Sequence, residues 1–385
     1  MIHGYYGEIF PYTVVVFLAV ALLIAILNYC SIRRFDQFPA ATNFPRVSIL
    51  VPARNEERNI KNCVESLLAQ QYPDFEVLVL NDHSTDQTGT ILERISTHDP
   101  RLEVWDGDAL PSGWLGKHWA CHQLSQRASG ELILFTDADT RHEPDALRDS
   151  VSALIAQNAD LLTGFPREEM RTWGEKLTVP ILAFGIMCFF PILLAEKLSL
   201  PAFSVTIGQF MLFRRSAFEA VGGYKAIRDH AVDDIKLGHN IISQGFHWQF
   251  LDATRHVTCR MYHGFSNAVD GFTRTMFAAF DHHLFLYGIG WSWIAISYLF
   301  PLCALFNVFS GPLNFPISLA MIAITEALLM ICLTYRRFRI PGYLVLLYPL
   351  SLLIFTWIAF RSLVYSITGY QSWKNREMPC PKFKL

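Results

Sequence analysis

An α/β domain built on a mostly parallel sheet and flanked by apolar helices that cross a membrane is the architecture the sequence predicts. Three observations carry it. Strand-like and helix-like segments alternate with short connections from residue 47 to residue 166, the pattern of a parallel sheet with crossover helices. Uncharged stretches of about twenty residues lie at both ends of the chain, long enough to cover the hydrocarbon core of a bilayer. The 385 residues are 52% hydrophobic and 14% aromatic, with a mean hydropathy of +0.26, above the soluble average.

Taken in order, residues 10–29 (FPYTVVVFLAVALLIAILNY) are an uncharged span followed by Arg33 and Arg34. The span lacks a small-residue cleavage site and exceeds a signal-peptide core, so an anchor over 1–30 is expected, with the α/β segment after it in the cytoplasm. VSILVPA (47–53) and FEVLVLND (75–82) are apolar runs of strand length. LEVWDG, ELILFTDAD and DLLTGFP come next as further strands. Between them Ile60, Cys63, Val64, Leu67 and Leu68 recur at helical spacing, as do Ile91, Leu92 and Ile95, and then Leu147, Val151, Leu154 and Ile155.

In such a sheet the carboxyl ends of the strands line one crevice. The first strand delivers Arg54, Asn55 and Glu56 there, the second Asn81, Asp82, Ser84 and Asp86, and the fourth Asp137 and Asp139. Read as the end of a strand, ELILFTDADT sends Asp137 and Asp139 to one face and Ala138 to the other. Paired hard oxygens suit a divalent cation that carries a diphosphate. The alternative is a polar turn after a core strand, since turns and helix caps also favour Asp, Asn and Ser.

Charge and cysteine content exclude other classes. With 34 acidic and 32 basic residues and a formal net charge of −2, nothing global favours nucleic acid, and no basic aromatic patch occurs. The eight cysteines are scattered without a short Cys-x-x-Cys pair, which argues for reduced thiols over disulfides or zinc.

VPARNEERNI, NDHSTDQT, GWLGKHWA, FTDADT, GQFMLFRRSAFEAVGGY and VDDIKLG occur in the order and approximate spacing seen in family 2 glycosyltransferases, and this resemblance covers roughly residues 45–265. It implies the GT-A fold, a nucleotide-diphosphate sugar donor, a Mg or Mn ion, and inversion at the anomeric carbon. The WLGK element, the Arg-Met-Tyr at 260–262 and the membrane tail resemble most the branch that glycosylates carotenoid, hopanoid-associated or other lipid acceptors.

Carried over residue by residue, the resemblance implies that Pro52, Arg54 and Glu56 hold the nucleotide. Asp82 matches the carboxylate that accepts a hydrogen bond from the base, which favours uracil or guanine, a UDP-sugar first. Asp137 and Asp139 match the pair that contacts the donor ribose and the metal. Lys117 resembles a family lysine near the phosphates; the plainer reading is a solvated helix start. Asp233 and Asp234 stand where the family has an acidic pair whose second member is the base, so Asp234 is the expected base, while Asp233 also reads as a helix cap. Arg260 and Tyr262 are candidate acceptor or diphosphate contacts. Trp373, in a QSWKNR tail that resembles the basic tail of related enzymes with Asn375 in place of a glycine, is another. His83 replaces a glycine common in the family and changes how its loop turns. His230, His256, His263, His282 and His283 are expected to be structural or interfacial.

Residues 177–195 (LTVPILAFGIMCFFPILLA) qualify as a span by length and lack of charge. A single crossing there would put Asp137 and Asp234 on opposite sides of the bilayer, so an interfacial or re-entrant segment broken at Pro180 and Pro191 is expected. Residues 266–288 read as an amphipathic interfacial helix. Spans near 289–309, 315–334 and 343–363 complete a membrane region over 289–365. Arg336, Arg337 and Arg339 belong inside, SGPLN outside, and the basic tail over 366–385 falls outside by this count, against the positive-inside rule.

The sequence thus points to a multi-pass cell-membrane enzyme that moves one sugar from a nucleotide donor to a hydrophobic acceptor at the cytoplasmic face. A processive polysaccharide synthase is the first alternative, disfavoured because no Gln-x-x-Arg-Trp element occurs. A non-catalytic membrane scaffold is the second, disfavoured because it needs no separate base.

Overall fold

The structure is a computed structural model that describes residues 2–230, 232–306, 315–368, 372–373 and 376–377. The chain forms two compact units, one of Ile32–Glu169 with Ile192–Met261, the other of Met1–Ser31, Met170–Pro191 and Tyr262–Leu385.

Along the chain, α1 (Ile2–Ser31) leads to β1 (Val47–Ala53), α2 (Ile60–Leu68), β2 (Phe75–Asn81), α3 (Thr88–Ser96) and β3 (Leu102–Asp106). Then come α4 (Gly116–Arg127), β4 (Leu132–Phe135), β5 (Thr140–His142), α5 (Ala146–Ala156), β6 (Leu161–Phe165) and β7 (Arg167–Glu168). The helices α6 (Trp173–Thr178), α7 (Pro180–Phe189) and α8 (Ile192–Leu198) precede β8 (Met211–Arg214), α9 (Arg215–Ala220), α10 (Asp233–Ser243), β9 (Trp248–Asp252) and β10 (Val257–Cys259). Last are α11 (Phe265–Thr275), α12 (Leu284–Leu305), α13 (Ile317–Arg337), α14 (Tyr348–Ile367), β11 (Ser372–Trp373) and β12 (Arg376–Glu377).

The α/β unit is a seven-stranded sheet in the order β3-β2-β1-β4-β8-β6-β9, beside a small sheet β5-β10-β7. Val47–Val51 are all buried, because helices cover both faces of a central parallel strand and leave no side of it polar. Helix α2 turns Ile60, Cys63, Val64 and Leu67 inward, the three-and-four spacing of one helix face. With Leu134, Val151 and Leu212 these residues form one continuous core. The sheet is mixed, not simply parallel: β8 runs antiparallel to both β4 and β6. Gly130 sits where a Cβ would lie 2.5 Å from the Ser48 amide nitrogen, so only glycine admits this approach of backbone to backbone.

In the other unit, Ile9–Ser31, Leu284–Leu305, Ile317–Arg337 and Gly342–Ile367 are long and apolar enough to cross a membrane. The segment expected to be broken is bent by 55° between Phe189 and Ile192. Pro180 opens α7 at its first turn, where a missing N–H costs nothing, and Pro191 stands at the break. The Asn28 amide donates to the carbonyls of Met187 (3.0 Å) and Phe190 (2.7 Å), satisfying oxygens that the end of α7 would otherwise leave without partners.

Two expected boundaries differ. The 266–288 helix is α11 alone, followed by a short 3₁₀ turn at Ala278–Phe280 and then α12. Asp281 and His282 both take positive φ, which no helix can carry through. The strand ELILFTDAD ends at Phe135. SGPLN, Lys374, Asn375, Lys382 and Lys384 lie outside the described residues, and Trp373 is placed in β11 opposite Arg376.

Candidate active site

The loops after β1 and β2 are locked together. Asp82 N–H donates to Ala53 O at 2.8 Å, Asn55 N–H to the Ser84 hydroxyl at 3.0 Å, and Glu56 N–H to the Thr88 hydroxyl at 2.8 Å. Arg54 Nη1 reaches Asp82 O at 2.7 Å and lies 3.8 Å from Asp82 Oδ2. Pro52, Arg54, Glu56 and Asp82 therefore belong to one interlocked pair of strand ends. Asn55 and His83 both adopt positive φ. The turn keeps a conformation suited to glycine even though a histidine occupies it.

Asp137 and Asp139 do not sit on alternate positions of a strand. They occupy a turn that starts after Phe135 and closes where Thr140 N–H meets Asp137 O at 3.3 Å. The turn, not the pleat, brings the two carboxylates near each other. Asp139 Oδ1 accepts from a thiol, Cys259 Sγ, at 3.6 Å. Burial pushes Asp139 up to about 7, and the charges of Asp137 and Glu56 add to the shift. A half-buried carboxylate crowded by like charge, with a weak thiol donor beside it, is a fitting seat for a divalent cation.

Lys117, the second residue of α4, joins this turn to the start of α10. Its Nζ lies 2.9 Å from Asp137 Oδ1 and 3.5 Å from Asp233 Oδ2. It is therefore an ion-paired cleft residue and not a solvated helix start. Burial alone would disfavour its charge, but Asp137 and Asp233 outweigh that and hold the ammonium well above the ordinary lysine range.

Asp233 is not the cap of α10, whose N-cap is Val232. Its carboxylate instead accepts from the Tyr224 hydroxyl at 3.3 Å. Burial pushes it up, yet Lys117 and His118 overcome this and hold Asp233 below the usual carboxylate range. Asp234 takes the opposite course. Its Oδ2 accepts the Gly208 N–H at 3.0 Å and its Oδ1 the Ile235 N–H at 2.8 Å. Burial, with Asp233 beside it, raises Asp234 to about 7. Adjacent carboxylates driven apart in this way are suited to separate duties, one a fixed charge and one a proton carrier.

Gly208 marks the space these groups share. A Cβ built there would lie 3.5 Å from Asp234 Oδ2, 3.5 Å from Lys117 Nζ and 3.8 Å from Asp137 Oδ2. Because Lys117 touches both Asp137 and Asp233, the turn after β4 and the start of α10 belong to one site.

Arg260 N–H meets Asp139 O at 3.5 Å, which places it beside the turn. Tyr262 packs its ring on Phe272 at 5.0 Å, in the helical unit. His256 Nε2 lies 3.2 Å from Asp149 Oδ2; Asp145, Asp149 and His256 bring ligand atoms within 4.8 Å of one another, but Asp149 also pairs with Arg148 at 3.1 Å. Spacing along the chain did not single out Gly208, which acts through its backbone, or Thr136, Thr140 and His142, which are drawn together by the turn between β4 and β5. Gly208 left a trace as the first residue of the GQFMLFRR run, and Thr136 and Thr140 as members of FTDADT.

Comparison with known proteins fits this geometry. Residues 48–222 match the model of Glycosyl transferase family 2. The 4,4'-diaponeurosporenoate glycosyltransferase of Staphylococcus aureus, in strains MRSA252 and USA300, is 29% identical over 273 residues, covering 68% of each chain. A mannosyltransferase from Pyrobaculum calidifontis, solved with GDP-Man and Mn2+, superposes with a TM-score of 0.52 at 17% identity, over 93% of this chain and 99% of that one. At that identity the likeness establishes the fold.

Proposed function

We propose that this chain, whose residues 48–222 match the model of Glycosyl transferase family 2, is a membrane-associated enzyme that moves a single sugar from a nucleotide diphosphate to a hydrophobic acceptor, with inversion. The observation that carries the proposal is the position of Lys117, whose ammonium holds Asp137 and Asp233 around the space at Gly208 that Asp234 also faces.

In this reading Pro52, Arg54, Glu56 and Asp82 seat the nucleotide, with Asp82 accepting from the imino group of uracil or guanine. Asp137 and Asp139 hold Mg or Mn, which when bound neutralises charge on the leaving diphosphate. Lys117 adds a second positive charge near those oxygens. Asp234 takes the proton of the acceptor hydroxyl, and the Gly208 and Ile235 N–H groups keep its carboxylate aimed while it does so. A lipid acceptor is supported by the carotenoid-type substrate in the name of the S. aureus relative and by four helices, among the described residues, that are apolar enough to span a bilayer. The cytoplasmic face is supported by Arg33, Arg34, Arg336, Arg337 and Arg339 at the ends of spans.

The test is nucleotide release by detergent-purified protein from a panel of UDP- and GDP-sugars, with Mn2+ and then with chelator. Metal-dependent release from one donor is expected. Silence across the panel, with no nucleotide bound, would overturn the proposal.

A further inference from the structure

Behind the Asp137 turn lies a sealed polar cluster. Thr136, Thr140 and His142 are 1%, 2% and 4% exposed. The Thr136 hydroxyl donates to Gln209 O at 2.8 Å, and the Thr140 hydroxyl donates to Asp137 O at 2.8 Å. The two hydroxyl oxygens lie 3.0 Å apart, and His142 Nε2 lies 3.1 Å from the first and 3.0 Å from the second.

Counting protons fixes the direction of these bonds. A carbonyl oxygen only accepts, so each threonine commits its one proton to a main-chain carbonyl. Neither hydroxyl has a proton left for the other or for the ring. His142 must therefore carry its hydrogen on Nε2 and donate it to both hydroxyl oxygens, which assigns the tautomer from the network. Without that N–H, two buried oxygens at near contact would face each other with nothing between them.

We propose that His142 is a positioning residue: through Thr140 it fixes the metal-holding turn at Asp137, and through Thr136 it fixes the 207–210 loop whose Gly208 N–H aims Asp234. One ring nitrogen thus sets the spacing between the cation seat and the base. The proposal rests on the proposed roles of Asp137 and Asp139 as the cation seat and of Asp234 as the base.

The experiment compares the full chain in detergent with His142→Leu, His142→Gln, Thr140→Val and Thr136→Val. Mn2+ affinity is read directly from the free-ion electron paramagnetic resonance signal, without donor; kcat and thermal unfolding are measured alongside. His142→Leu and Thr140→Val are expected to weaken Mn2+ binding about tenfold, the order expected for one lost buried hydrogen bond. His142→Gln, which keeps an N–H donor, returns it to within about threefold. Thr136→Val leaves Mn2+ affinity as in the parent and lowers kcat.

Parent-like Mn2+ affinity in both His142→Leu and Thr140→Val, whatever their melting temperatures, would overturn the proposal. If His142→Leu does not fold, the contrast between the two valine variants decides. Absence of Mn2+ binding in the parent, or full transfer by Asp137→Asn, removes the reading of the site itself and the proposal with it, an outcome distinct from intact binding that ignores His142.

Discussion

Lys117 Nζ stands 2.9 Å from Asp137 Oδ1 and reaches Asp233 Oδ2 at 3.5 Å, so one cation ties the turn after the fourth strand to the first residue of a helix about a hundred positions later. Lys117→Ala leaves these two carboxylates and Asp234 facing one another without a counter-charge. Transfer should fall by roughly two orders of magnitude, the usual effect of removing one preorganised charge. The variant should also melt lower than the parent and regain more of that loss on addition of Mn2+. Equal Mn2+ responses in the two proteins would show that Lys117 does not share charge with the metal seat.

The two aspartates at the start of α10 should separate cleanly. Asp234→Asn removes the proton acceptor but keeps the oxygen that meets the Gly208 N–H. Transfer should drop by about a thousandfold with donor binding intact, within the range for a lost general base. Asp233→Asn should instead weaken donor binding, since it releases Lys117. Nucleotide affinity and single-turnover transfer, measured on both, distinguish the roles, and unchanged transfer in Asp234→Asn would eliminate it as the base.

Much of this architecture is legible in the sequence where burial imposes a pattern. VSILVPA and FEVLVLND are mostly apolar runs, interrupted at Ser48 and Glu76, because their strands are covered on both faces, and the α2 stripe at Ile60, Cys63, Val64 and Leu67 comes from one buried helix face. Met211–Arg214 is not legible as a strand, being four residues long and running straight into a helix. Short strands such as Val257–Cys259 are below the length at which alternation can be read. The acidic residues of the site are visible as residue types, but the alternation argument for Asp137 and Asp139 fails because their strand stops at Phe135. The Lys117 pairing depends on where distant segments meet, which no local spacing records; the His142 cluster lies within seven residues but is made by the turn between β4 and β5, and its link to Gln209 O is long-range.

Acidity should act on rate and stability in linked ways. Asp234 must be ionised to accept a proton, so with its carboxyl at about 7 transfer should fall by about tenfold per pH unit on the acid side. Asp139 and Asp234 have folded values raised from 3.8 to about 7. Their contribution to stability is therefore present below about pH 4 and is lost as pH rises through about 7. Mn2+ binds the ionised form, so its gain in melting temperature should grow from about pH 5 to about pH 8. A pH-independent Mn2+ shift would mean that the ion binds elsewhere.

Gly208 offers a test in which stability and activity move apart. Its φ is outside the left-handed region, and an added Cβ would sit at ordinary contact distance, 3.5 Å, from both Asp234 Oδ2 and Lys117 Nζ. Gly208→Ala should therefore fold as well as the parent or slightly better, since alanine loses less backbone freedom on folding. The same methyl intrudes on the space where, in the proposed reaction, the acceptor oxygen, the base and the diphosphate meet. Transfer should fall by about tenfold in Gly208→Ala and by about a thousandfold in Gly208→Val, whose branches fill that space, since small misplacement of reacting groups costs orders of magnitude. Melting curves and transfer rates for the two variants suffice. A Gly208→Val protein that melts like the parent and transfers at the parent rate would move the reacting atoms away from Asp234 and Lys117.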